Sequence, residues 1–157
     1  MTGGPGRGTG GGRGGGVPRV VVAPDKFRGT VDARQAAAAM AWAVTDLGWE
    51  AVVHPLSDGG EGLLDACADV CPDVVSTTVS GPDGMPVVAE WRFGDGMAVV
   101  ESARASGLTL AGGPERNDPM AATTRGTGEL LVAAARKVGA GGTVVVGLGG
   151  SATTDGG

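Results

Sequence analysis

RVVVAPDKFRGT, residues 19–30, is the stretch from which the architecture can be read. Arg19–Ala23 is a β-branched run fenced by Pro18 and Pro24, and an unbroken apolar run of this length reads as a buried parallel strand. Residues 24–30 are a polar loop. Thr30 then serves as a helix N-cap with Asp32 in the first turn, opening an alanine-rich helix from Val31 to Leu47 that Gly48 ends. A second strand follows at Trp49–His54, then a glycine-containing polar loop at 55–60. A helix from Glu61 to Val70 comes next and must stop before Pro72. Strand, helix, strand, helix is the grammar of an open α/β sheet.

Downstream of this the grammar changes. Asp73–Ser80, Val87–Phe93 and Met97–Glu101 are three strand candidates joined by the turns GPDGMP (81–86) and GDG (94–96), which predicts an antiparallel meander. A second unit is therefore expected to start near residue 76. A loop covers 107–125, a helix runs from Thr127 to Val138, Gly139–Gly142 close it, and Thr143–Leu148 is another buried strand. The sequence ends on GLGGSATTDGG (147–157), a strand entering a glycine-rich loop without the helix that should follow, so a truncated chain is expected. Upstream, residues 1–16 are too low in complexity to offset their ordering entropy. The expected division is a disordered tail over 1–18, a first α/β part over 19–75 and an incomplete second part over 76–157.

Bulk properties narrow the function. The 157 residues carry a net charge of −5 and no cluster of lysine and arginine, which argues against nucleic acid and against a polybasic membrane contact. No apolar run approaches the roughly 20 residues of a membrane span, and the first 16 residues lack the apolar segment of a secretory signal. A cytoplasmic location follows. Cys67 and Cys71, the only cysteines, read as small buried apolar residues in a reducing compartment, with no second pair to complete a zinc site.

Three polar loops follow strands, where α/β sheets gather their ligands. Pro24–Thr30 offers Lys26 and Arg28, which suit a phosphate or carboxylate or pair with nearby acids in solvent. SDGGEG (57–62) holds Asp58 and Glu61 among three glycines. The two acids would bind Mg²⁺ or take a proton from a substrate hydroxyl; alternatively they form a helix capping box, which leaves the glycines unexplained. In Gly147–Gly157, successive N–H groups with Ser151, Thr153 and Thr154 make an anion nest, and Asp155 is placed to reach a phosphate-bound metal. No Gly-Lys-Ser/Thr follows, so this is not a Walker A loop. Gly147, Gly149 and Ala152 do match dinucleotide-loop spacing, so a nucleotide- or NAD-dependent oxidoreductase stands as an alternative. Thr123–Glu129 (TTRGTGE), opening a helix with Thr127, suits an anion or is simply a capped helix. His54 reads as a strand residue, and nothing supports a hydrolytic triad.

Taken in order, APDKFRGT (23–30), PLSDGGEG (55–62), VSGPDGMPV (79–87), ESARASGL (101–108), DPMAATTRGTGEL (118–130) and GLGGSATTDGG (147–157) resemble the bacterial type-I glycerate kinases. The resemblance runs from residue 19 to 157 and implies a two-domain glycerate kinase-like fold: a Rossmann-like first domain with a second α/β domain inserted into it, truncated here. It implies transfer of the γ-phosphoryl group of ATP to a hydroxyl of glycerate with Mg²⁺, in a cleft between the domains, and leaves a homodimer open. On that basis Asp58 and Asp155 are the expected catalytic acids, Asp155 also the metal ligand. Lys26, Arg28, Glu61, Thr127, Gly149, Gly150, Ser151 and Thr153 are the expected substrate- or phosphate-binding residues. The resemblance also allows an inactive, anion-binding piece. Arg28 stands where the family commonly has lysine, and Arg104 where it usually has a small residue, with no role assigned.

Overall fold

The structure, a computed structural model, describes residues 16–155. Most of the expected N-terminal tail, residues 1–15, and the final two glycines of the last loop lie outside the described residues.

The opening segment forms the expected βαβ unit. Strands β1 (Arg19–Val22) and β2 (Glu50–Val53) pair in parallel, Arg19 opposite Glu50 and Val22 opposite Val53, with helix α1 (Ala33–Asp46) as the crossover. Two expectations need correction. The cap is Asp32, not Thr30: the Asp32 carboxylate accepts from the Gln35 N–H at 2.7 Å, and Gln35 Oε1 accepts from the Asp32 N–H at 3.3 Å, a reciprocal capping box. The Thr30 N–H is instead taken by the Phe27 carbonyl in a tight turn. Nor is β1 a buried strand. Val22 is buried but Val21 is 66 % exposed, because among the described residues this sheet has two strands and α1 is the helix packed on it.

The expected helix over Glu61–Val70 shrinks to one turn, α2 (Leu63–Ala66), followed by turns as far as Val70. Gly62 stands at its N-cap with φ +98°, a left-handed conformation that favours glycine. No local side chain caps the turn, so the Asp58/Glu61 capping box does not form. The acceptor comes from a distant strand, as described below.

The second sheet has four strands in the order β3 (Asp73–Ser80), β4 (Pro86–Gly94), β5 (Met97–Glu101), β6 (Thr143–Gly147). The first three form the antiparallel meander read from the sequence, while β6 joins β5 in parallel. The residue-76 change of pattern falls inside β3. The β5–β6 crossover carries the single-turn helix α3 (Ala103–Ser106) and helix α4 (Arg125–Val138), since a parallel neighbour cannot be reached by a tight turn. α4 packs across β3, β5 and β6. The main core lies between them, where Val79, Trp91, Val100, Leu130 and Ala134 are buried together. Trp91 fills its centre and satisfies its indole N–H on Thr77 Oγ1 at 2.9 Å. β6, expected to be buried, alternates between exposed and half-buried positions until Gly147, as an edge strand does.

A smaller cluster of Leu64, Cys71 and Val99 joins α2 to β5. Cys71 is buried and Cys67 half-buried; both are free thiols, and burial pushes both above their ordinary pKa. No helix among the described residues is long and apolar enough to cross a membrane.

Candidate active site

The carboxyl ends of four strands converge, and glycine makes the convergence possible. A side chain on Gly147 would run into the Gly59 carbonyl and Leu63, and one on Gly149 would strike Gly60 Cα. The loop after β2 and the loop after β6 therefore pack backbone against backbone. This gives a physical reason for the glycine spacing at Gly147 and Gly149 that needs no dinucleotide. Ala152, the third position of that pattern, is buried with its N–H on the Ser106 carbonyl at 2.9 Å.

Beside this seam lies an open cleft of about 660 Å³. The loop after β1 and the first turn of α1 form one wall, and the start of α2, the end of β5 and α3 form the other. Lys26, Arg28 and Glu61 all line it. Lys26 Nζ donates to Asp58 Oδ1 at 2.8 Å and lies 3.7 Å from Asp25. The hydrogen bond it donates to Asp58 holds the lysine above its ordinary pKa, so it stays cationic. In return the lysine, helped by the Gly60 N–H, holds the Asp58 carboxyl below its own. Asp58 is thus the partner of a cleft cation and does not itself line the cleft. Glu61 is exposed, and its carboxylate is a near neighbour of the turn at Gly150, where φ is +65°.

The remaining expected residues stand apart from the cleft lining. Thr127 is buried, sharing a 2.9 Å hydrogen bond with Ser106 Oγ and donating to the Ser102 carbonyl at 3.5 Å. Ser151 bridges to Gly107, and Thr153 is half-buried. The next residue, Thr154, gives its N–H to the Pro119 carbonyl. Asp155 Oδ2 accepts from the Thr124 N–H at 2.7 Å and the Thr124 hydroxyl at 3.1 Å, at the N-terminus of α4. Among the described residues, no group of three or more His, Cys, Asp or Glu is placed to enclose a metal. Mg²⁺ commonly takes one or two carboxylates and completes its shell with phosphate and water. A single carboxylate such as Asp155 is compatible with that mode.

Sequence reasoning missed one residue in the cleft wall, Glu101, and left another, Arg104, without a role. Glu101 ends β5 almost wholly buried, its Oε1 accepting from the Leu64 N–H at 2.9 Å and its Oε2 from Arg104 Nε at 3.2 Å. It supplies the acceptor that α2 lacks locally. The available signal was an acid placed directly after the apolar run Met97–Val100.

The chain is similar in sequence and fold to known proteins. The Bacillus subtilis glycerate kinase is 41 % identical over 149 residues, and the Escherichia coli glycerate 2-kinase 39 % over 145. Each alignment takes in 88 % of this chain and 37 % of the relative. The crystal structure of a candidate glycerate kinase 2 from Salmonella typhimurium LT2 superposes with a TM-score of 0.74 at 32 % identity, over 90 % of this chain and 38 % of that one. The chain thus spans a little over a third of the length of these relatives. The glycerate kinase family model matches residues 20–157, and with that match the chain belongs to the glycerate kinase family.

Proposed function

We propose that this chain forms the N-terminal part of an ATP-dependent glycerate kinase, which transfers the γ-phosphoryl group to a hydroxyl of glycerate and yields phosphoglycerate and ADP. The observation that carries the reading is Lys26, kept cationic by Asp58 at 2.8 Å, in one cleft with Arg28 and Glu61. Phosphoryl transfer asks a protein mainly for positioning and charge neutralisation. In this reading Lys26 and Arg28 steady phosphate or carboxylate oxygens. Glu61 orients the acceptor, and Asp58 either takes the hydroxyl proton or acts through Lys26. The loop from Gly149 through Gly150 and Ser151 to Thr153 cradles the phosphates of ATP, beside the buried Thr127. Asp155 is the residue that would hold Mg²⁺, which supplies charge neutralisation at the phosphates when bound.

The domain reading belongs to the same proposal: residues 19–75 begin a Rossmann-like domain, and 76–157 begin the inserted one. The enzyme would work in the cytoplasm on a small molecule, alone or as a homodimer.

The test is ADP release from Mg-ATP with and without D-glycerate. It is run on this 157-residue chain and on the same chain joined to the remaining segment of the E. coli relative. Glycerate-dependent ADP from the joined protein is the expected result. A cooperatively folded joined protein that releases no ADP in response to glycerate would sink the kinase reading. Ligand-dependent thermal stabilisation of the short chain without turnover would mark it as an anion-binding piece. Within an active protein, Asp58→Asn tests the candidate base against Glu61→Gln, which removes the group that orients the acceptor, because loss of the base lowers kcat by about 10²-fold or more.

A further inference from the structure

The cations of the cleft differ in what already occupies them. Lys26 is bonded to Asp58. Arg34 gives Nε to the Asp65 carbonyl at 3.0 Å and a terminal nitrogen to Asp69 at 3.4 Å. Arg28 is exposed on its loop with no ion pair among the described residues. Arg104 is unlike all three. Its Nε is tied to Glu101, whose side chain is only 2 % exposed, while its own side chain is 43 % exposed. Its two terminal amino groups meet no acceptor among the described residues. Glu101 is held in turn by the Leu64 N–H, as a buried carboxylate must be if its desolvation is to be offset.

A guanidinium anchored through Nε keeps its terminal pair of nitrogens for a second, planar acceptor. Because the anchor fixes the stem, less rotamer freedom is lost when that acceptor binds. We propose that Arg104, standing where the family usually has a small residue, gives this chain an additional contact to the carboxylate of the acceptor substrate, a small hydroxy acid, and that Glu101 is the positioning residue that aims it. The identity of the acid as glycerate rests on the kinase reading; the selection of a carboxylate by Arg104 does not. Lys26 and Arg28 are then left to the phosphate side.

The experiment titrates D-glycerate, and separately glycerol, into the 157-residue chain by calorimetry. Glycerol keeps the hydroxyls and lacks the carboxylate. Wild type should bind glycerate at least about tenfold more tightly than glycerol, and Arg104→Ala should narrow that preference by weakening glycerate alone. Arg104→Lys, which keeps the charge but not the fork, should fall between them. Glu101→Gln should narrow the preference even where the protein stays folded by circular dichroism. A purely structural role would lower the melting temperature of these variants and leave the glycerate-to-glycerol ratio unchanged, which overturns the proposal. So would loss of the preference in Arg28→Ala but not in Arg104→Ala, or the lack of any preference in wild type. Glycerate binding weakened in Arg104→Ala, beside a joined protein with no glycerate-dependent ADP release, sinks the kinase reading and leaves the carboxylate site standing.

Discussion

The two sheets are made from similar residues, yet among the described residues only the four-stranded one buries large side chains in quantity. The four-stranded sheet uses strands of eight and nine residues and buries Val79, Ala89, Trp91, Val100 and Leu130 under α4. The β1–β2 pair has four residues per strand, and its helix α1 buries only alanines, Ala33, Ala36 and Ala37. Trp42 on α1 is 83 % exposed, with Val21, Leu47 and Val53 also on the surface. A two-stranded sheet is marginal alone in water. The cleft nonetheless takes Lys26, Arg28 and Glu61 from this thin side, and Glu101 and Arg104 from the thick one. The site's geometry therefore depends on how the thin unit is held, by the glycine seam and by the hydrogen bond that the Leu64 N–H of α2 donates to Glu101.

The sharpest way to break this comparison is a pair of tryptophan truncations. Trp91→Ala removes the centre of the buried cluster and leaves Thr77 Oγ1 without its donor, so it should cost about 3–5 kcal/mol. Trp42→Ala, on the exposed face of α1, should stay within about 0.5 kcal/mol. Urea unfolding followed by circular dichroism measures both. Comparable losses would mean that the two units share one core.

A smaller effect is expected at the seam. Gly149→Ala places a methyl group against Gly60 Cα, Gly60 N and the Gly59 carbonyl, all backbone atoms that cannot swing aside. The cost should be about 1–3 kcal/mol, as for other overpacked sites, and its distribution matters more than its size. Hydrogen exchange should show β1 and β2 amides losing protection while the β3–β4 ladder keeps its own, because local opening follows local contact density. Equal loss in both sheets would show that the seam is not the joint.

How much of this was legible beforehand follows from what each feature rests on. The meander was readable because turn chemistry and β-branched runs are local signals; β3, β4 and β5 fall within a residue or so of their expected ends. The cap at Asp32 was readable in principle, since Asp32 and Gln35 are three apart, but Thr30 carried the same signal two residues earlier. The short α2 was not legible: its length depends on Gly62 adopting φ +98° and on an acceptor 37 positions away at Glu101. In the site, Lys26, Arg28 and Glu61 were found as charged residues in loops after strands. Arg104 was given no role because it stands where the family usually has a small residue; the buried carboxylate beneath it is what distinguishes it from a solvated arginine.

The smallest effects concern pH, and they test whether the two units respond separately. Glu129 ties α4 to β3, accepting from the Ser80 N–H at 2.7 Å, the Ser80 hydroxyl at 3.1 Å and Arg125 Nε at 3.0 Å. The Ser80 N–H foremost, then Arg125, holds its carboxyl below the ordinary 4.5. Asp58 is lowered in the same sense, chiefly by Lys26. A carboxyl whose folded pKa is depressed contributes stability that is complete above its ordinary value and is lost as pH falls through the folded one. The Glu129 contribution should therefore fade on acidification below about pH 4.5 and the Asp58 contribution below about 3.8, and both are modest because the groups face solvent. Lys26, raised by Asp58, has the opposite sign: its contribution is complete below 10.5 and lost as pH climbs through the higher folded value. Glu129→Gln should flatten only the acid limb, with the change seen at β3 and α4 amides. Asp58→Asn should flatten the acid and alkaline limbs together, with the change confined to the loops after β1 and β2. Exchange rates followed across both limbs provide the measurement. If Asp58→Asn also altered the β3–α4 amides, the loops of the cleft and the core of the second sheet would have to open as one unit, and the contrast between thin and thick halves would fail.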